Sequence, residues 1–232
     1  MNEIIQSRKS VRKFDLNPLD FHTLEKIKTQ LKLCTPLYPD IHYTVSISGK
    51  TKGMFNIKAP HYLVFHSEEK DGYLENIGFI GQQMDLWLSQ SGYGSCWLGA
   101  AKPDEKAASV QSHVICIGFG KPAEPLYREL HEFKRKEITE VSEGDDPRLE
   151  AARLAPSGMN AQNWYFIAEG GLIHCYRKKL NPIKALILDK MSCIDVGIAV
   201  RHIARESDGF GFGKLDSPPV RKGLIYMGTV GH

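Results

Sequence analysis

Ala155-Pro156-Ser157-Gly158-Met159-Asn160-Ala161-Gln162-Asn163-Trp164 sets a rigid proline, a conformationally free glycine and the neutral groups of Ser, Asn and Gln just ahead of an aromatic strand. Neutral amides and hydroxyls suit a heteroaromatic ring with alternating donors and acceptors. Near the start of the chain, Arg8-Lys9-Ser10-Val11-Arg12-Lys13-Phe14 supplies fixed cations and a hydroxyl. That combination suits a phosphate and an electron-rich carbonyl edge. Together the two stretches read as one anion-and-ring site.

The chain around them has 232 residues, enough for one large domain or two small ones. Its net charge of +3 is spread, with Lys and Arg interspersed among Asp and Glu, and even Lys134-Arg135-Lys136 is bounded by Glu132 and Glu137. Nucleic acid is therefore not an expected partner. Five cysteines, an odd number without C-x-x-C spacing, indicate neither a disulfide framework nor a zinc knuckle, and point to a reducing cytoplasm. Nine histidines include no H-E-x-x-H pair, so no metal is expected. The N-terminus lacks the features of a secretory signal. The most apolar segment, around Ile77 to Leu88, contains Gln82, Gln83 and Asp85, which speaks against a membrane span.

Periodicity outlines the elements. Asp20 is placed to cap a helix running to about Leu33, followed by strand-like runs at Ile41–Ser48 and His61–His66. A helix over about Gly72 to Gln90 is apolar on most of its surface and belongs at the centre, with Gly78 and Gly81 offering room for a second helix. Gly92-Tyr93-Gly94 ends it, and Val114–Phe119 reads as a buried strand. In the second half, Asp146 as N-cap with Pro147 at the first helical position opens a short helix through Leu154. Strands follow at Trp164–Ala168 and Leu172–Tyr176, then a second central helix marked by Ile194 to Ile203 with Gly197 as its small residue, and a last strand over Gly223–Val230.

Both halves run helix, Pro-containing turn, aromatic strand: Leu24 through Pro36 to Tyr43 parallels Leu149 through Pro156 to Trp164. The expected organisation is an internal duplication, halves 1–142 and 143–232, packed around a pseudo-twofold axis with the central helices face to face.

The segment Arg8 to Phe14, the stretch Gly92-Tyr93-Gly94-Ser95-Cys96-Trp97-Leu98-Gly99-Ala100, the strand Ile115 to Pro122 and Ala155 to Trp164 are similar to the signature segments of the FMN-dependent nitroreductase family. The resemblance implies an α+β nitroreductase-like fold and an FMN-dependent NAD(P)H oxidoreductase. Hydride would pass in ping-pong order through flavin N5 to a nitroaromatic or quinone. The Pro-Ser turn, which in that family normally follows the Arg motif early and reaches the flavin of the opposite subunit, occurs here late. This departure resembles the single-chain, duplicated members of the family and implies a monomer with one flavin.

Carried over, Arg8 would contact the FMN phosphate or ribityl chain, Lys9 and Ser10 would flank it, and Arg12 would approach the pyrimidine edge. Backbone amides of Trp97, Leu98, Gly99 and Ala100 would line the N5 side. Lys134 or Arg135 would be the second phosphate cation, Pro156, Ser157 and Asn160 would come from the other half, and Asn56 is a candidate for another ring contact. No side chain is named as acid, base or nucleophile, because the flavin carries the chemistry. Glu137 stands where the family has proline, which keeps open a non-catalytic flavin-binding or scaffold protein of the same fold; a dehalogenating or flavin-consuming relative is a third reading. Gly209 to Lys214 lacks the spacing of a phosphate loop and reads as the turn leaving the second central helix.

Overall fold

The structure is a computed structural model that describes residues 2–53, 57–103 and 111–231. In chain order its elements are α1 (Glu3–Ser7), α2 (Phe21–Leu33), β1 (Tyr43–Ser48), β2 (Thr51–Lys52), β3 (His61–Ser67), α3 (Tyr73–Gln90), β4 (Gly94–Leu98), β5 (Lys102–Pro103) and β6 (Ser112–Gly120). There follow α4 (Ile138–Val141), β7 (Ser142–Glu143), α5 (Arg148–Leu154), β8 (Trp164–Glu169), β9 (Leu172–Lys178), α6 (Pro182–Arg205), β10 (Gly211–Gly213) and β11 (Leu224–Gly231). This is an α+β fold. No helix among the described residues is long and apolar enough to cross a membrane.

Local chemistry explains the helix starts. The Asp20 carboxylate accepts the Thr23 N–H at 2.9 Å and opens α2. Asn181 accepts the Lys184 N–H at 2.9 Å, with Pro182 as the first residue of α6. That helix starts well before Ile194 because its first turns, which expose Ile183 and Leu186, carry no buried face to be read from the sequence. Pro147 occupies the cap of α5 and not its first turn, while the Asp146 carboxylate still accepts the Arg148 N–H at 2.9 Å. Two strands lie where only turns were expected: β4 follows directly on Gly92-Tyr93, and β10 sits inside the Gly209 to Lys214 segment.

One sheet has the order β1-β3-β6-β4 and is antiparallel throughout. A second has the order β10-β11-β9-β8-β7, antiparallel apart from the short β7–β8 edge, and β2 and β5 pair as a separate two-stranded ladder. Taken from the strand after the Pro-containing turn, the sequences of neighbours are β1-β3-β6-β4 and β8-β9-β11-β10, the same plan twice.

Between the sheets α3 and α6 cross in backbone contact. A Cβ on Gly78 would fall on the Ile194 carbonyl, and one on Gly197 would fall on the Glu75 carbonyl. The contact is reciprocal, since Ile194 precedes Gly197 by the same step that Glu75 precedes Gly78. Gly81 does not meet a helix as expected; its open face receives the Trp97 indole.

Gly78→Ala and Gly197→Ala are each expected to cost about 1–3 kcal/mol or more, because a rigid carbonyl rather than a side chain would have to yield. Gly49→Ala, whose Cβ would meet nothing within 4 Å, should stay within about 0.5 kcal/mol of wild type in the same denaturant titration.

Candidate functional site

Arg8 ends α1, its N–H donating to the Ile4 carbonyl at 2.9 Å, and its side chain is only 1% exposed. Nε lies 3.0 Å from Asp85 Oδ2 as an ion pair, although its N–H is not aligned for a hydrogen bond, and Nη2 donates to Ser10 Oγ at 3.3 Å. Asp85, fully buried on α3, also accepts from Ser95 Oγ at 2.6 Å and from Gln82 Nε2 at 2.9 Å. Gln82 continues the network: Oε1 accepts from Trp97 Nε1 at 3.2 Å, and Nε2 stands 3.0 Å from His202 Nε2. His202 Nδ1 faces the Ala151 carbonyl at 2.9 Å. A carbonyl can only accept, so Nδ1 carries the proton and Nε2 accepts from Gln82. Burial, reinforced by the Arg8 charge, pushes His202 down to about 3 and keeps it neutral.

A concentration of guanidinium groups surrounds this network. Arg128 donates from Nε to the Arg8 carbonyl at 3.2 Å and lies 3.6 Å over the Phe133 ring. Arg135 faces the same ring at 5.5 Å, donates to Asn160 Oδ1 at 2.6 Å and to the Leu154 carbonyl at 3.2 Å. Its buried Nε has no hydrogen-bond partner among the described residues. Burial first, then the charge of Arg8, pulls Arg128 down to about 10; burial, then Arg128 and Arg8, pulls Arg135 to about 9. Both stay cationic at neutral pH. Arg12 is exposed and reaches the Ser10 carbonyl at 3.4 Å, Lys9 is half-buried, and Lys134 is exposed, its carbonyl accepting from Asn160 Nδ2 at 2.6 Å.

The Ser157–Gln162 turn lies against this group. Met159, Asn160 and Gln162 have φ of 53°, 55° and 46°, and no other non-glycine among the described residues adopts a left-handed conformation. Such strain persists only where neighbours impose it. Here Ser157 Oγ accepts the Gln162 N–H at 3.0 Å, Gln162 Oε1 accepts the Lys136 N–H at 2.9 Å, and Asp195 Oδ1 accepts the Gly158 N–H at 2.9 Å. Asp195 is 3% exposed, and burial pushes its carboxyl up to about 7 against the opposing pull of that N–H.

Met191 stands close to the backbone of both Gly99 and Gly158. A Cβ on Gly99 would lie 2.7 Å from Met191 Cε, and one on Gly158 would fall on its Sδ. Leu98 and Pro156 are buried, Ala100 is exposed, and Trp97 stacks on Phe65 with centroids 6.4 Å apart. The structure thus gathers Arg8, Ser10 and Arg12 in one group, Lys134, Arg135 and Asn160 in another, and Gly99 with Gly158 in a third. Asn56 lies outside the described residues. Arg128, Asp85, Gln82, His202, Met191 and Asp195 were not anticipated. Two surface hollows of about 570 and 470 Å³ are lined by none of the predicted residues; the first is bordered by Ser7 and by Tyr127, which bridges to Arg8, and the second lies near His42. No group of three or more His, Cys, Asp or Glu among the described residues is placed to hold a metal.

Residues 1–207 match a family model described as "Putative TM nitroreductase". Among solved structures, one described as a "putative nitroreductase" from Thermotoga maritima is similar at a TM-score of 0.69 and 22% identity, covering 99% of this chain and 93% of that one. The fold is shared. An FMN-dependent nitroreductase from Clostridium difficile is similar at 19% identity and a TM-score of 0.45, covering 59% of this chain and 98% of that one. No curated protein sequence matches the chain.

Two measurements check the electrostatics. Asp85→Ala, which strands a buried Arg8 charge, is expected to cost about 3–5 kcal/mol in denaturant unfolding. The raised Asp195 carboxyl holds a proton that the unfolded chain releases, so its ionisation costs stability progressively as pH rises from 3.8 to about 7 and by a constant amount above. Asp195→Asn removes that cost. Its melting temperature should exceed wild type more at pH 8 than at pH 5, by about 2–4 °C for each kcal/mol recovered.

Proposed function

The chain belongs to the TM nitroreductase family, and from that premise we propose that it is an FMN-dependent oxidoreductase that draws on NAD(P)H and reduces an electron-poor acceptor such as a nitroaromatic or quinone. The observation that carries this reading is the Arg8, Arg128 and Arg135 group with its unpartnered buried Nε beside the left-handed Ser157–Gln162 turn. Three guanidiniums share one low-dielectric region in which Asp85 neutralises Arg8 alone. A phosphate suits the remainder, because Arg forks match its oxygens.

The residues fit the rest of FMN as well. Gly99 and Gly158, bare of side chains and separated by the adaptable Met191, would let a flat ring approach the backbone. Ser157 and Asn160 would serve its polar edge. Arg12, exposed and held near Ser10, suits the pyrimidine side, where a cation stabilises negative charge that develops on reduction. Bound FMN would supply the hydride transfer from nicotinamide to acceptor. The chain's own task is to bind, orient and shield it.

The repeated strand order and the reciprocal glycine contact support reading the chain as two fused halves. The counterpart of the Gly158 position is Tyr38, whose ring lies on Gly72 and meets Phe212 edge-on at 5.7 Å. Aromatic filling there supports a single flavin site per chain and a monomer in solution. Five free cysteines support a reducing, cytosolic setting.

After incubation with FMN and gel filtration, the protein should retain about one flavin per chain, bleached anaerobically by NADH or NADPH. Arg135→Ala should weaken FMN binding about 10-fold or more in a fluorescence titration, from the loss of charge-assisted hydrogen bonds. Failure to retain any flavin would overturn the reading; flavin that dithionite reduces and nicotinamide does not would mark a binding protein without turnover.

A further inference from the structure

Asp195 is the one ionisable residue in the buried stretch Ile194–Val200 of α6, and it touches none of the cations described above. A carboxyl in such a place is costly unless a hydrogen bond satisfies it. The hydrogen bond the structure gives it is the Gly158 N–H at 2.9 Å, immediately before the left-handed residues Met159 and Asn160.

The same operation is performed on the other side of the helix pair. Asn76, fully buried on α3, accepts the Leu37 N–H at 2.7 Å and the Tyr38 N–H at 3.0 Å. Tyr38 follows Pro36 as Gly158 follows Pro156. Glu75 and Ile194, the residues just before Asn76 and Asp195, are the two whose carbonyls face Gly197 and Gly78. The two polar side chains therefore stand at matching places of the crossing, each holding the backbone amide of the turn that follows a proline.

We propose that Asp195 is the positioning residue for the cofactor-facing turn: through the Gly158 amide it fixes the Ser157–Gln162 turn, with its left-handed Met159, Asn160 and Gln162, in the conformation that presents Asn160 to Arg135. This rests on the reading of that turn as an FMN contact. What the position needs is a buried acceptor oxygen, and Asn76 shows that a neutral amide supplies one. Asp195→Asn therefore keeps the hold, whereas Asp195→Ala and the shape-conserving Asp195→Leu release it. A residue that only filled space would behave otherwise, since Leu would then serve better than Asn.

The experiment measures amide hydrogen exchange over residues 155–163 of the full chain without cofactor, and FMN affinity by fluorescence quenching, in wild type and the three variants. Expected are wild-type exchange and affinity in Asp195→Asn. In the Ala and Leu variants the turn should exchange faster and FMN should bind about 10-fold more weakly. Unchanged exchange in both truncations, or an Asn variant as impaired as they are, would overturn the proposal. If wild type binds no FMN, the cofactor reading falls, and the exchange comparison alone decides whether Asp195 holds the turn.

Discussion

The backbone contact between α3 and α6 is the constraint on which the rest of the molecule depends. Where Gly78 meets Ile194 and Gly197 meets Glu75, no side chain separates the helices, so their neighbours in sequence are drawn into the centre with them. That is how Asn76 and Asp195 come to be buried yet able to reach the backbone of loops on either side. It is also how Gln82, on one helix, and His202, on the other, close a hydrogen-bond network in which each group has its matching donor or acceptor. Such networks are favourable only when complete, and this one is complete as far as Asp85.

Around that neutral and paired centre the charge is unbalanced. Arg8 has Asp85 behind it, but Arg128 and Arg135 lie against Phe133 and backbone carbonyls, and the charges of Arg128 and Arg8 lower the proton affinity of Arg135. The guanidiniums are held in place by contacts that do not neutralise them: a ring face, the Leu154 carbonyl and the Asn160 amide oxygen. An anion arriving there meets groups already oriented, and little ordering entropy remains to be lost. The strained turn beside them follows the same logic, with its conformation set by Asp195, Lys136 and Arg135.

Much of the frame was legible in the sequence. Asp20 and α2, the apolar α3, and strands β3, β6, β8 and β9 declared themselves through caps and periodicity, which are local signals. Short glycine-bearing β4 and β10 did not, because they contain few residues that favour strands. The two motif segments were recognised, yet the partner of Arg8 was not. Gln82 and Asp85 were noted only as too polar for a membrane, when polar residues spaced for one face of a buried helix were the trace of a network. Arg128 carried no local signal, since its place beside Arg8 joins residues far apart in sequence. Asp195 lies in an apolar run that was read only as a buried helix, and the position of Gly158 is what gives it meaning.

The crossing has a consequence for how the chain reaches this state. The faces of α3 that receive α6 have no substitute partner, and α6 lies more than ninety residues later in the order of synthesis. Ile4 and Ile5, far earlier in the chain, end in one packed cluster with Ala151 and Leu154. The N-terminal sheet and its helix must therefore wait, with apolar surface open, until the last third of the chain is present. Contacts of such sequence separation slow folding and lengthen exposure to aggregation. In this protein the helix pair that closes the core is also the step that ends that exposure.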